Sequence, residues 1–210
     1  MSLLRRRMMM QSVSKGFEYV YDPTRGGTPI DDGWTFEGDT YYTNMTNVDG
    51  LGYIYVGRGG SYNRLWLPNH LSVENCSLYI ELSYQNTDIA ITLCDDEYFA
   101  QCRLTRWNNR KYIGFPTNDT GGGTVLCSTA VPSGVEPTDV FYTMKLEKNG
   151  NKCSMYLNDV CYADQINCKT LGQTHHPNRS YSCVDQCGAG AWSFGDRGYV
   201  YIKRLIYKEW

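Results

Sequence analysis

The sequence lacks charge bias, long apolar runs and helical periodicity. Twenty Lys and Arg stand against 22 Asp and Glu, a net charge of −2 over 210 residues. Binding nucleic-acid phosphates needs a concentrated basic face, so this balance excludes nucleic acid as a partner. No run approaches the roughly 20 apolar residues of a spanning helix, which excludes that kind of membrane protein. The start is also poor as a secretory leader. Behind Arg5, Arg6 and Arg7, only Met8, Met9 and Met10 are apolar before Gln11, where a leader needs roughly 7–15 such residues. The expectation is a retained N-terminus and a protein made in the cytosol, or carried in a particle assembled there. A short cluster of this kind gives only marginal membrane affinity, so no membrane partner is expected.

Familiar catalytic arrangements are missing too. His70, His175 and His176 fall in loop-like segments with no recognisable Ser-His-Asp set. The glycine runs GRGG (57–60) and TGGGT (120–124) follow strand-like segments but open no helix, so they read as turns and not phosphate cradles. No cofactor is expected.

Nine cysteines occur, at 76, 94, 102, 127, 153, 161, 168, 183 and 187. An odd count without a leader favours reduced thiols, several serving as small apolar residues in strands. Cys161, Cys168, Cys183 and Cys187 offer an alternative zinc set, but only the second pair has the close spacing of structural zinc sites. Pairing among these four after release from a cell is a further alternative.

What the chain does have is 18 tyrosines and 21 glycines, which favour strands and the turns between them. CSLYIELSYQ (76–85) puts Leu78, Ile80 and Leu82 on one face, and DIAITLC (88–94) does the same with Ile89, Ile91 and Leu93. Only Asn86 and Thr87 separate them, which predicts a hairpin. In DVFYTMKLEKNGNKCSMYLNDVCY (139–162), Tyr142, Met144 and Leu146 oppose Phe141, Thr143, Lys145 and Glu147. The chain then turns at Asn149-Gly150 and again at Asn158-Asp159. GYVYIKRLIYKEW (198–210) reads as a long closing strand. Many short strands with turn signals between them predict an all-β, two-sheet antiparallel sandwich over residues 17–210, with residues 1–16 as a tail.

YTMKLEKNGNKCSMYLNDVCY resembles the laminin-G-like and concanavalin A-like jelly-roll family, as do GWTFEGD, GLGYIYVGRGG and the closing YVYIKRLIY. The resemblance runs over roughly 34–210 and implies a jelly-roll fold. That fold hosts lectins, adhesion modules and glycoside hydrolases, so it does not by itself assign a function. The resemblance further implies that a hydrolase would carry an E-x-D-x-x-E type motif on one strand, because its two acting carboxylates must lie close on one face. CDDEYF (94–99) offers Asp95 and Glu97 with no third carboxylate in register. The expectation is therefore that the chain is not an enzyme.

The segment Leu3 to Met10, with YVYDPT and DDGWTF after it, resembles structural proteins of tailed bacteriophages of gut bacteria. This resemblance implies a virion component assembled in the host cytoplasm. Leu3, Leu4, Arg5, Arg6, Arg7, Met8, Met9 and Met10 would dock onto other virion proteins, with apolar side chains in a groove and guanidiniums on carboxylates. The sandwich would then be displayed as a capsid decoration, fibre or tail protein, as a homo-oligomer. The alternative is a bacterial carbohydrate-binding module or glycoside hydrolase of the same fold. Of the five tryptophans, core packing is expected for each, with Trp107 the best exception. Together with Arg106, Asn108, Asn109 and Arg110, Trp107 forms an aromatic and hydrogen-bonding group suited to a surface glycan.

Overall fold

A computed structural model describes residues 16–38, 45–56, 62–68, 74–85, 89–94, 99–104, 110–116, 123–130, 140–167, 181–187 and 198–210. Its strands run in chain order as β1 (Glu18–Tyr21), β2 (Thr35–Gly38), β3 (Met45–Val48), β4 (Leu51–Val56) and β5 (Tyr62–Trp66). Then come β6 (Asn75–Gln85), β7 (Ile89–Cys94), β8 (Phe99–Leu104), β9 (Arg110–Pro116) and β10 (Gly123–Ala130). The last five are β11 (Tyr142–Asn149), β12 (Lys152–Leu157), β13 (Val160–Asn167), β14 (Tyr181–Cys187) and β15 (Gly198–Glu209). Two 3-10 turns, Pro23–Arg25 and Pro29–Asp32, are the only helical pieces among the described residues.

The large sheet has eight strands in the order β13-β12-β11-β6-β15-β4-β3, with β1 alongside the other half of β15. A second sheet runs β2-β5-β14-β7-β8, and β9 and β10 form a separate pair. All pairings are antiparallel. This is the concanavalin A-like jelly-roll sandwich that the sequence predicts.

The alternation read from β11 is the alternation found. Met144 and Leu146 are fully buried and Tyr142 nearly so, while Phe141, Thr143, Lys145 and Glu147 lie on the other face. The connection to β12 is a two-residue turn at Gly150 and Asn151, one position later than expected. Gly150 has φ +55°, the left-handed geometry that a hairpin's first turn residue needs and that glycine adopts without strain. Asn158 and Asp159 both have positive φ, at 48° and 62°, as a type I′ turn requires. The Asn158 side chain also accepts from the Thr143 amide at 3.0 Å.

The predicted hairpin of 76–85 with 88–94 is not formed. β6 pairs with β11 and β15, whereas β7 pairs with β14 and β8. Both strands have one wholly apolar face. Side by side they would share one layer. In opposite sheets, Leu78, Ile80 and Leu82 face the core from one side, with Ile89, Ile91 and Leu93 in the same core from the other sheet. Each such side chain contributes about 1.5–3 kcal/mol on burial.

β15 carries a bulge. Ile202 pairs with Leu82 and Arg204 with Glu81, leaving Lys203 as the extra residue. The buried positions accordingly change parity, from Val200 and Ile202 to Leu205 and Tyr207. The extra residue thus re-aims half the strand without turning its apolar side to water.

The N-terminal strand pairs with the closing one, Tyr19 opposite Tyr207 and Tyr21 opposite Leu205. Its tyrosines also tie down the following loop. Tyr19 donates to Asp32 at 3.0 Å and Tyr21 to Asn47 at 2.5 Å, and the Asn47 amide donates to the Gly27 carbonyl. Trp34 packs against Tyr19 with ring centroids 5.1 Å apart.

Candidate functional site

The face of the large sheet turned away from the core is unusual in composition. Outward faces of antiparallel sheets are ordinarily polar, but here β4 and β15 both alternate tyrosine with aliphatic residues, as GYIYV and GYVYI. Ile54, Val200 and Ile202 go to the core. Pairing sets Tyr53 opposite Tyr201 and Tyr55 opposite Tyr199, so four tyrosine positions form a two-by-two block. The Tyr53 ring lies 5.4 Å from Tyr201 at 50° and 5.8 Å from Tyr199 at 31°. These are tilted contacts in the range that aromatic pairs prefer. All three rings are half-buried and reach the surface.

Next to this block on β6 lies Ser83, directly across from Tyr201. It is 1% exposed, and its hydroxyl has no hydrogen-bond partner. The Thr143 hydroxyl, on the same face of β11, is likewise buried and unpaired. Leaving a buried hydroxyl unsatisfied costs about 1–3 kcal/mol, so two on one face are a notable concentration.

Two ion pairs lie on this face, which also carries the exposed Arg204 and Lys208. Lys203 sits 2.6 Å from Glu81 and also lies over the Phe141 ring at 5.5 Å. Lys145 sits 2.5 Å from Glu147 and over the Tyr156 ring at 4.9 Å. Tyr156 donates to Glu147 at 3.1 Å. Burial, the Glu147 charge and that hydrogen bond push the Tyr156 phenol up to about 12. Burial, followed by the Glu81 charge, raises Tyr79 as well. Both therefore stay protonated and able to donate. Farther out, Ser154 donates to Asp164 at 3.0 Å and accepts from the Gln165 amide at 2.9 Å.

The expected site residues fare differently. Trp107, Arg106, Asn108 and Asn109 lie outside the described residues, and Arg110 opens β9. Asp95, Glu97, Cys168, His175 and His176 also lie outside them, as do Leu3 to Met10. Cys161 is exposed on β13, at the edge of the large sheet, while Cys183 and Cys187 are on β14 of the other sheet. Among the described residues no three His, Cys, Asp or Glu side chains come together as a metal site. Cys76 and Cys153 are buried in strands β6 and β12, in the small apolar role expected of strand cysteines. Trp34 is in the core as expected, but Trp210 is 51% exposed, so core packing does not hold for every tryptophan. Counting tyrosine only as a strand former misses the Tyr block. Its signal was the repeated Tyr-aliphatic-Tyr pattern in two strands.

No known protein family matches the sequence, and no curated sequence is significantly similar to it. Solved structures do share its architecture. The catalytic domain of an endo-1,3-β-glucanase (laminarinase) from Thermotoga petrophila RKU-1 aligns with a TM-score of 0.59 at 13% identity, over 84% of this chain and 90% of its own. The Bacillus licheniformis β-glucanase aligns at 0.55 and 11%, over 93% and 99%. The Emp47p carbohydrate recognition domain aligns at 0.56 and 12%, over 95% and 99%. At these identities the likeness establishes the fold and not an activity. It corrects one expectation. The expectation that the chain is not an enzyme does not stand, because glucanases share this fold over 84% and 93% of the chain. The virion reading finds no support in these likenesses.

Proposed function

We propose that this chain is a carbohydrate-recognising β-sandwich, of the kind used by lectin domains and glycoside hydrolases. The observation that carries the reading is the near end-to-end likeness of fold to a carbohydrate recognition domain and to glucanases. The surface chemistry agrees with it. Half-buried tyrosines beside hydroxyl groups and polar side chains suit a polyol, which offers apolar C–H faces to aromatic rings and hydroxyls to polar side chains.

A glycan array with the purified full chain tests this, followed by an assay for released reducing ends on every glycan bound. Binding without release defines a lectin or binding module. Binding with release defines a hydrolase. An array with no bound glycan sinks the reading.

A further inference from the structure

We propose that the outward face of the large sheet is itself a binding site for a neutral polysaccharide, centred on Tyr53, Tyr199 and Tyr201. The proposal rests on the carbohydrate reading above and assigns it a place and a ligand chemistry. Three features of this face converge on it.

The first is the ring cluster. Tyr53 contacts both Tyr199 and Tyr201, giving a continuous aromatic surface across β4 and β15. The axial C–H groups of a pyranose carry partial positive charge and pack on the negative faces of such rings.

The second is the unpaired hydroxyl of Ser83, buried directly across from Tyr201 on the same face. A buried hydroxyl without a partner asks for one. A sugar hydroxyl entering beside Tyr201 supplies both a donor and an acceptor.

The third is charge. Glu81 is neutralised by Lys203 at 2.6 Å. With that pair formed, Glu81 is not an isolated carboxylate beside the rings, so a neutral polyol has no bare anion to desolvate there, while the exposed Arg204 opposite it keeps its water.

The test is titration calorimetry of the full chain with laminarin and mannan as neutral probes and polygalacturonate as the acidic one. Parent, Tyr53→Ala/Tyr201→Ala and Tyr53→Phe/Tyr201→Phe proteins are compared. The expected result is binding of a neutral probe that falls about tenfold or more in the alanine variant and stays within about threefold in the phenylalanine variant, since the rings carry the contact.

Footprinting of the parent keeps the proposal testable if the alanine variant does not fold. Bound polysaccharide should protect Tyr53, Tyr199 and Tyr201 from nitration by tetranitromethane. Neutral binding that is unchanged in the variants, or that leaves nitration unchanged, overturns the placement and leaves carbohydrate recognition standing. Preference for polygalacturonate overturns the ligand chemistry. A dimer seen by light scattering that the alanine variant dissociates, with glycan binding intact, makes the face a self-association surface and overturns the proposal. If neither these probes nor any arrayed glycan binds the parent, the site and the broader reading fall together.

Discussion

The two faces of the large sheet are built from the same strands but obey different rules. On the core side, Leu78, Ile80, Leu82, Met144, Leu146, Met155, Val200, Ile202 and Leu205 are all fully buried. Lys148 is the one charged residue buried among the described residues. On the outer side the same strands carry half-buried tyrosines, paired lysines and glutamates, and hydroxyl groups left without partners. The inner face is closed by its own packing. The outer face has polar capacity unused, as expected of a surface that meets something else.

The contrast can be broken most strongly from inside. Leu146→Ala empties a site with no solvent access and should cost about 2–5 kcal/mol of unfolding free energy. Chemical denaturation measures it, and a loss well under 1 kcal/mol would show the sandwich to be loosely packed.

Gly52→Ala should come next. A Cβ at residue 52 would lie 2.5 Å from the Met45 methyl carbon and 2.6 Å from the Tyr21 hydroxyl. Tyr21 would have to move off Asn47, for a loss of about 1–3 kcal/mol. A melting temperature equal to the parent's would mean that the β3–β4 hairpin yields freely.

Alkaline pH sharpens the comparison between buried and half-buried tyrosines. Tyr207 is raised above its ordinary value chiefly by burial, then by Cys76, and Tyr21 chiefly by burial, then by Asp22 and Asp31. Tyr156, on the outer face, is raised to about 12. A group whose folded value exceeds its unfolded one stabilises fully below the unfolded value, 10.0 for tyrosine, and loses that contribution as pH rises toward the folded value. Stability should therefore fall above pH 10. Tyr156 should finish titrating in the folded protein, with Tyr207 and Tyr21 ionising only on unfolding. Tyr207→Phe should start about 1 kcal/mol lower, having lost the hydrogen bond to Cys76, and then decline less steeply. A parent whose stability is flat from pH 9 to about 12 would contradict this linkage.

The smallest effects belong to the periphery. Lys203→Ala breaks an ion pair whose lysine side chain is 56% exposed, so about 0–1 kcal/mol is expected, shrinking in salt. Removing residues 1–12 should leave melting and glycan binding unchanged. Weaker glycan binding without the tail would make residues 1–12 part of the site rather than a tether.

Local patterns were legible wherever one strand's chemistry could be read alone. Tyr142 to Leu157 declared its faces by alternation, and Asn158-Asp159 declared its turn by residue type. The closing strand was legible as a strand but not as a bulged one. The switch from Ile202 to Leu205 has an odd spacing that a sequence window reads as imperfect alternation, until Glu81 and Leu82 opposite it define the register. The candidate site was legible in part. GYIYV and GYVYI carry a Tyr-aliphatic-Tyr alternation that the count of tyrosines as strand formers misses, and nothing local says that Tyr53 meets Tyr201.

Periodicity of two settles which side of a strand is apolar, because successive side chains must alternate. That information is local, and the sequence alone determined it here, together with the Asn158-Asp159 turn and the all-β class. Which sheet each strand joins is not local. β6 and β7 have interchangeable patterns and a three-residue link, yet they stand in opposite layers. Only long-range pairing, with β15 and β11 for one and β14 and β8 for the other, placed them there. The same long-range pairing assembled the tyrosine face, from strands about 150 residues apart in the chain.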